Sequence, residues 1–341
     1  MSDDSNQADG LAEPLHLSRI CVEKVWGGRA LERVLGTPLP GEGPIGESWE
    51  LVDRDDHNST VADGRFEGQS LRWLMSNERE GLLGDAAPSE SDQFPLLVKF
   101  ISAEQPLSVQ VHPDETMAKK LGKGEAGKCE AWYILEAEPD SLLYLGLRPE
   151  VDATEFATAA GSCDVVDLLQ TWNVEAGQFV WVPAGTVHAI GAGITLLEVQ
   201  QNSDATFRVF DWGRVGLDGG PRKTHVDEAL LAVSYDIDTV GPTKPELEAL
   251  EGDSRHAELL DCEFFRMDLI EVCGLVRRKS LRRPVVLVCV AGAGRILRAG
   301  SEPLEFTLGD TWLVPAAAGD WTVESKGGEC RLVLVEAKAK Q

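Results

Sequence analysis

Four side chains of this sequence, Gln110, His112, Glu130 and His188, are of types that bind divalent metal ions. Gln110 and His112 stand two apart in Leu107-Ser-Val-Gln-Val-His-Pro-Asp-Glu115. On an extended strand both leave one face while Val109 and Val111 take the other. Burying an amide beside an imidazole costs free energy unless a partner compensates them, and a divalent cation is such a partner. Glu130 lies on the alternating segment Cys129–Leu135, which puts Lys128, Glu130, Trp132 and Ile134 on one face. His188 follows the turn Pro183-Ala-Gly-Thr186 that ends a further strand. Nitrogen and oxygen donors without sulfur describe a site with a position open to water or substrate, more than a closed structural zinc site. Each residue alone has a plainer reading: Glu130 as a strand-edge acid, Gln110 as a buried hydrogen-bonding amide, His112 as a histidine satisfied at a strand end.

The elements that must position these groups are mostly short strands. Between Leu15 and Val61, Gly27, Gly28, Gly36, Pro38, Pro40, Gly41, Gly43 and Pro44 interrupt any helix and leave Glu47–Val52 as a strand. Further strands are predicted over 95–102, around Gln110 and His112, and over 129–135, 177–182, 194–200 and 206–210. Leu71, Leu74, Met75, Leu82 and Leu83 predict an amphipathic helix over 69–83. Small helices are expected over 116–121, 151–160, 163–170 and 227–233. Many short strands set off by Gly and Pro turns indicate a sandwich or barrel, not alternating βαβ units.

A repeat extends this reading. Gly309-Asp-Thr-Trp-Leu-Val-Pro-Ala-Ala-Ala-Gly-Asp320 aligns without gaps on Gly177 to His188, sharing a glycine, a strand and Val-Pro-Ala. Asp320 stands where the earlier copy has His188. The expected organisation is a disordered tail over 1–14, a metal-binding β domain with helical insertions over 15–235, a linker over 236–254, and a degenerate β domain over 255–341.

The chain of 341 residues carries a formal charge of −25, which argues against a nucleic-acid or anionic-membrane surface. A small anionic substrate remains compatible where a few cations converge. The seven cysteines form no Cys-x-x-Cys pairs, so neither a thiolate zinc site nor a disulfide framework is written here. The longest apolar run, Val285–Ala293, is far short of the roughly 20 residues that span a bilayer. With no apolar leader in residues 1–14, a cytoplasmic location is expected.

Pro-Leu-Ser-Val-Gln-Val-His-Pro-Asp, Gly-Lys-Cys-Glu-Ala-Trp-Tyr, Val-Pro-Ala-Gly-Thr-Val-His-Ala-Ile-Gly and Gln-Asn-Ser-Asp-Ala-Thr-Phe-Arg-Val-Phe-Asp-Trp together resemble the type I phosphomannose isomerases, especially their short bacterial form. Val25-Trp-Gly-Gly28 and Gly46-Glu-Ser-Trp49 are similar to that family's opening motifs. The resemblance is specific as far as about Trp212. It implies two cupin-type jelly-roll domains and a zinc-dependent enzyme, one Zn2+ per chain, that interconverts mannose 6-phosphate and fructose 6-phosphate. By resemblance, Gln110, His112, Glu130 and His188 fall on the metal ligands and Arg208 on the catalytic arginine, while Lys99, Lys128, Glu47 and Glu198 match pocket positions. Cys129 departs from the family pattern, and strand alternation points it away from the metal.

Isomerisation moves a proton between C2 and C1 while charge builds on the carbonyl oxygen through a cis-enediol. Arg208, always charged, suits the stabilisation of that charge and not the role of base. Lys128, its pKa expected to fall near a metal and an arginine, and Glu198 are the two candidate bases. Lys99 could orient a hydroxyl or assist ring opening. Arg208, Arg214, Arg222 and Lys223 are candidate cations for the phosphate, the last three reading more plainly as ordinary loop charges. Two rivals stand beside this reading: an Fe(II) oxygenase of the same fold, since two histidines and a carboxylate also form its triad, and a non-catalytic sugar-binding cupin. Monomer and homodimer are both left open.

Overall fold

Leu96–Ala103 (LLVKFISA) is largely apolar, Ile194–Gln201 (ITLLEVQQ) mixes apolar with polar residues, and both are buried throughout. Such segments fit a sheet covered on both faces, where polar side chains survive only if something there needs them. The two strands pair antiparallel from Ile194 opposite Ala103 to Gln201 opposite Leu96. Around them a six-stranded sheet runs in the order Phe179–Val182, Glu130–Ala137, Ile194–Gln201, Leu96–Ala103, Ile45–Leu51, Ile20–Gly28. These coordinates are a computed structural model that describes residues 10–89 and 91–339.

Three further sheets complete a mainly β, cupin-type architecture. A five-stranded sheet, ordered Phe207–Phe210, Val109–Val111, His188–Ile190, Leu142–Leu147, Leu169–Asn173, faces the six-stranded one. Leu107, Trp132, Ile134, Leu143, Leu145, Val180, Val182 and Leu196 fill part of the space between them. The other face of the six-stranded sheet offers Leu96, Val98, Phe100, Ala131, Tyr133, Leu197 and Val199. These pack on Phe265, Met267, Leu269, Val286, Val288, Leu313, Val333 and Val335 of an eight-stranded sheet. Beyond that, Leu287, Ile296, Phe306, Val323 and Leu332 join the eight-stranded sheet to a four-stranded one. The molecule is therefore a stack of four sheets, and the C-terminal half covers the back of the sheet whose front bears the candidate site.

Small helices close the outer face of the five-stranded sheet, with Phe156, Val165 and Ala229 packed on Val109, Val111, Val187 and Val209. The segment expected as one helix over 69–83 is two, Leu71–Asn77 capped by Ser70 and Arg79–Leu83, with the break at Glu78. The Glu78 carboxylate accepts the Leu11 N–H at 3.1 Å. Leu11 itself is buried, so the tail expected over 1–14 is anchored from Leu11 onward, and residues 1–9 lie outside the described residues.

The strand Leu15–Ser18 belongs to the eight-stranded sheet, where Leu15 pairs with Leu313 and Leu17 with Val61. The N-terminal strand thus ties both halves together. The segment expected as a linker lies along the first sandwich: Thr243 bridges to Phe179, and Glu248–Ala249 begins the eight-stranded sheet. The repeat is visible in the strands, since Phe179–Val182 and Thr311–Val314 occupy equivalent positions, each two residues after a left-handed glycine, Gly177 or Gly309. Gly27 and Gly46 answer a close approach, for a Cβ on Gly27 would stand 2.4 Å from the Gly46 nitrogen and one on Gly46 2.6 Å from the Trp26 ring.

Candidate metal and substrate site

Register decides which side chains meet. On the five-stranded sheet Arg208 pairs with Gln110 and Gln110 with His188, so these three form one row on its inner face. On the six-stranded sheet Lys99 pairs with Glu198 and Glu198 with Trp132, one step from Gln200 paired with Glu130. Glu47 and Trp49 extend the same face on the next strand. All the predicted site residues therefore converge between two sheets. Cys129 falls on the far side, in the core beneath the eight-stranded sheet.

At the centre His112, Glu130 and His188 are buried, and their ligand atoms lie within 4.8 Å of one another. His112 Nε2 is 3.2 Å from Glu130 Oε1 and His188 Nε2 is 3.6 Å from Glu130 Oε2. Each imidazole gives its Nδ1–H to a backbone carbonyl, His112 to Ala205 at 2.8 Å and His188 to Thr186 at 2.9 Å. That assignment leaves an Nε2 lone pair on each ring aimed at the carboxylate. Burial holds His112 below its ordinary range and, with His112 beside it, brings His188 down to about 4. Both rings are then neutral at pH 7. Burial alone would raise Glu130, but the Lys128 ammonium beside it is the foremost opposing influence and the carboxyl is held well below the usual range.

Two lone pairs facing an anion repel, and His112 Nε2 has no hydrogen-bond partner. The donor set fits a divalent cation, which turns this repulsion into coordination. Gln110 stands 3.3 Å from His188 Nε2 through its amide nitrogen, while its oxygen accepts the Ser108 hydroxyl at 3.1 Å. A half-turn of the amide brings the oxygen to the same point.

Charged groups alternate around this centre. Lys128 Nζ is 2.8 Å from Glu130 Oε1, and Lys99 Nζ is 3.4 Å from Glu198 Oε1. Burial and the Glu130 charge push Glu198 up to about 7 against the opposing pull of Lys99 and Lys128. Burial raises Glu47 too, but Lys24, Lys99 and the Trp49 indole outweigh it and bring that carboxyl down to about 2. Burial lowers Lys99, whereas Glu47 and Glu198 more than restore it, so its ammonium is held above the usual range. Arg208, lowered by burial and by Arg222, keeps its charge at neutral pH, and its Nε is buried with no hydrogen-bond partner. Arg214 and Arg222 are both committed to Asp211, at 2.5 and 3.0 Å, which removes them as ready phosphate ligands.

Sequence reasoning missed three contacts. Trp132 Nε1 donates to Glu198 Oε2 at 3.0 Å, Trp49 Nε1 to Glu47 Oε2 at 2.6 Å, and Lys24 Nζ approaches Glu47 Oε2 at 3.3 Å. The available signal was that a buried indole needs an acceptor, and both tryptophans share a strand face with an acid.

Residues 15–140 match the family described as phosphomannose isomerase type I, catalytic domain. The mannose-6-phosphate isomerase ManA of Bacillus subtilis (strain 168) is 32% identical over 316 residues, covering 92% of this chain and 96% of that one. A mannose-6-phosphate isomerase of Streptococcus mutans is 35% identical over 318 residues, covering 91% and 95%. A crystal structure of the mannose 6-phosphate isomerase from Bacillus subtilis superposes with a TM-score of 0.86 at 30% identity, over 94% of this chain and 99% of that one.

Proposed function

The chain belongs to the type I phosphomannose isomerases, and on that premise we propose that it interconverts mannose 6-phosphate and fructose 6-phosphate through a cis-enediol, using one zinc ion per chain. The observation that carries the metal requirement is the buried meeting of two imidazole lone pairs with the Glu130 carboxylate at 3.2 and 3.6 Å. His112, Glu130 and His188 would hold the ion, with Gln110 as fourth ligand after its amide turns. When bound, zinc supplies Lewis-acid polarisation of the substrate's carbonyl and neighbouring hydroxyl oxygens.

The chain's own residues do the rest. Arg208 lies in one row with Gln110 and His188, and its fixed charge stabilises negative charge developing on the enediolate oxygen. Glu198 carries the proton between C2 and C1, since a carboxyl near 7 exists in both forms at neutral pH. Lys128 pairs with the Glu130 carboxylate and holds it in place. Lys99, between Glu47 and Glu198, donates to a substrate hydroxyl and assists ring opening. The activity is assigned to residues 15–235, with 255–341 covering the back of the site. A cytoplasmic location is supported by seven cysteines, all of them free; among the described residues no helix is long and apolar enough to cross a membrane.

The test is turnover of mannose 6-phosphate by zinc-loaded protein without oxygen, with fructose 6-phosphate measured by a coupled assay. Absence of product refutes the reading. A requirement for oxygen would indicate an iron oxygenase, and binding without conversion a sugar-binding protein.

A further inference from the structure

Glu198 must present one carboxylate oxygen to substrate and hold the other still. Its Oε1 faces the Lys99 ammonium at 3.4 Å, a contact with a flexible side chain. Its Oε2 accepts the indole N–H of Trp132 at 3.0 Å. Trp132 has no exposed surface and sits directly opposite Glu198 across the strand pair. Its ring also meets the His188 imidazole edge-on, centroids 5.5 Å apart at 70°. A ring fixed between a metal-ligand candidate and the proton-carrying carboxylate ties the orientation of one to the other.

We propose that Trp132 is a positioning residue of the isomerase, whose indole N–H fixes the Glu198 carboxylate relative to the metal centre. This rests on the isomerase reading and deepens it. The bond concerned is a charge-assisted one, strong enough to hold the carboxylate in one rotamer. A misplaced proton carrier slows the chemical step without weakening substrate binding.

The experiment is a double-mutant cycle on zinc-loaded protein. Trp132→Phe keeps an aromatic ring and removes the donor. It should lower kcat about tenfold, the loss expected of one hydrogen bond to a charged group, with KM and zinc content close to wild type. In a Glu198→Gln background the same change should cost nothing more, because the proton carrier whose position it sets is already gone. Replacement of Trp132 by benzothienylalanine, which keeps the fused ring shape but has sulfur for the N–H, should reproduce the loss and serves where Trp132→Phe does not fold. A kcat within twofold of wild type for the benzothienylalanine protein overturns the proposal, as does an equal loss in both backgrounds. Independently of activity, the Trp132 indole proton resonance should move upfield in Glu198→Gln, and an unmoved resonance also overturns it. Failure of wild-type protein to turn over mannose 6-phosphate would instead sink the isomerase reading.

Discussion

Replacing Glu47 by Gln should destabilise the protein by an amount that depends on pH in a defined way. The carboxylate is 8% exposed, receives the Trp49 N–H at 2.6 Å and lies 3.3 Å from the Lys24 ammonium. Together with Lys99 these bring its pKa from 4.5 down to about 2. At about 1.36 kcal/mol for each tenfold change in acidity, that fall corresponds to about 3 kcal/mol of stability at pH 7. Because the folded carboxyl is the stronger acid, the unfolded chain binds more protons in the acid range. The contribution is whole above about pH 4.5 and drains away as the pH falls through about 2. At pH 3 it should have shrunk to about 1.4 kcal/mol. Urea unfolding of wild type and Glu47→Gln, followed by tryptophan fluorescence, measures the difference directly. Both proteins should be stripped of metal, so that acid release of the ion does not enter. A difference below about 1 kcal/mol at pH 7, or one that fails to narrow toward pH 3, would refute the view that Glu47 is held by its cations.

His112→Ala should leave little bound zinc after dialysis, because the two remaining ligands and Gln110 no longer enclose the ion; plasma emission spectroscopy reads the content, and near-stoichiometric zinc would discard the ligand assignment. Arg208→Ala should lower kcat at least about 100-fold while KM changes little, as expected for a charge that acts on the developing enediolate. A large rise in KM with unchanged kcat would make Arg208 a binding group only. With Glu198 pushed up to about 7, the carboxylate form grows as the pH rises, so kcat should climb through about pH 7. That limb should be missing in Glu198→Gln, and its survival there would assign the base elsewhere.

The candidate ligands were legible because each sits on a simple local pattern. Gln110 and His112 follow strict alternation in an apolar strand, and His188 follows a Val-Pro-Ala-Gly-Thr turn whose Val-Pro-Ala recurs at Val314, after a strand in both copies. What sequence could not supply was register between strands far apart in the chain. Lys99 meets Glu198, and Glu198 meets Trp132, only because three strands align at those positions, and no local pattern encodes that alignment. The same holds for the break at Glu78, where a contact to Leu11 falls within what reads as a continuous helical period. Nor does composition reveal that strands of the six-stranded sheet are apolar on their outer side because another sheet lies there.

The first strand has a consequence for biosynthesis. Leu15–Ser18 leaves the ribosome early, yet its neighbour Thr311–Val314 is made about 300 positions later. Until then one edge of that strand stays open, a template for pairing with other nascent copies. A product that stops before Thr311 keeps this edge exposed even with every candidate ligand in place, so the pairing of Leu15 with Leu313 links the candidate centre to a strand that carries none of those residues.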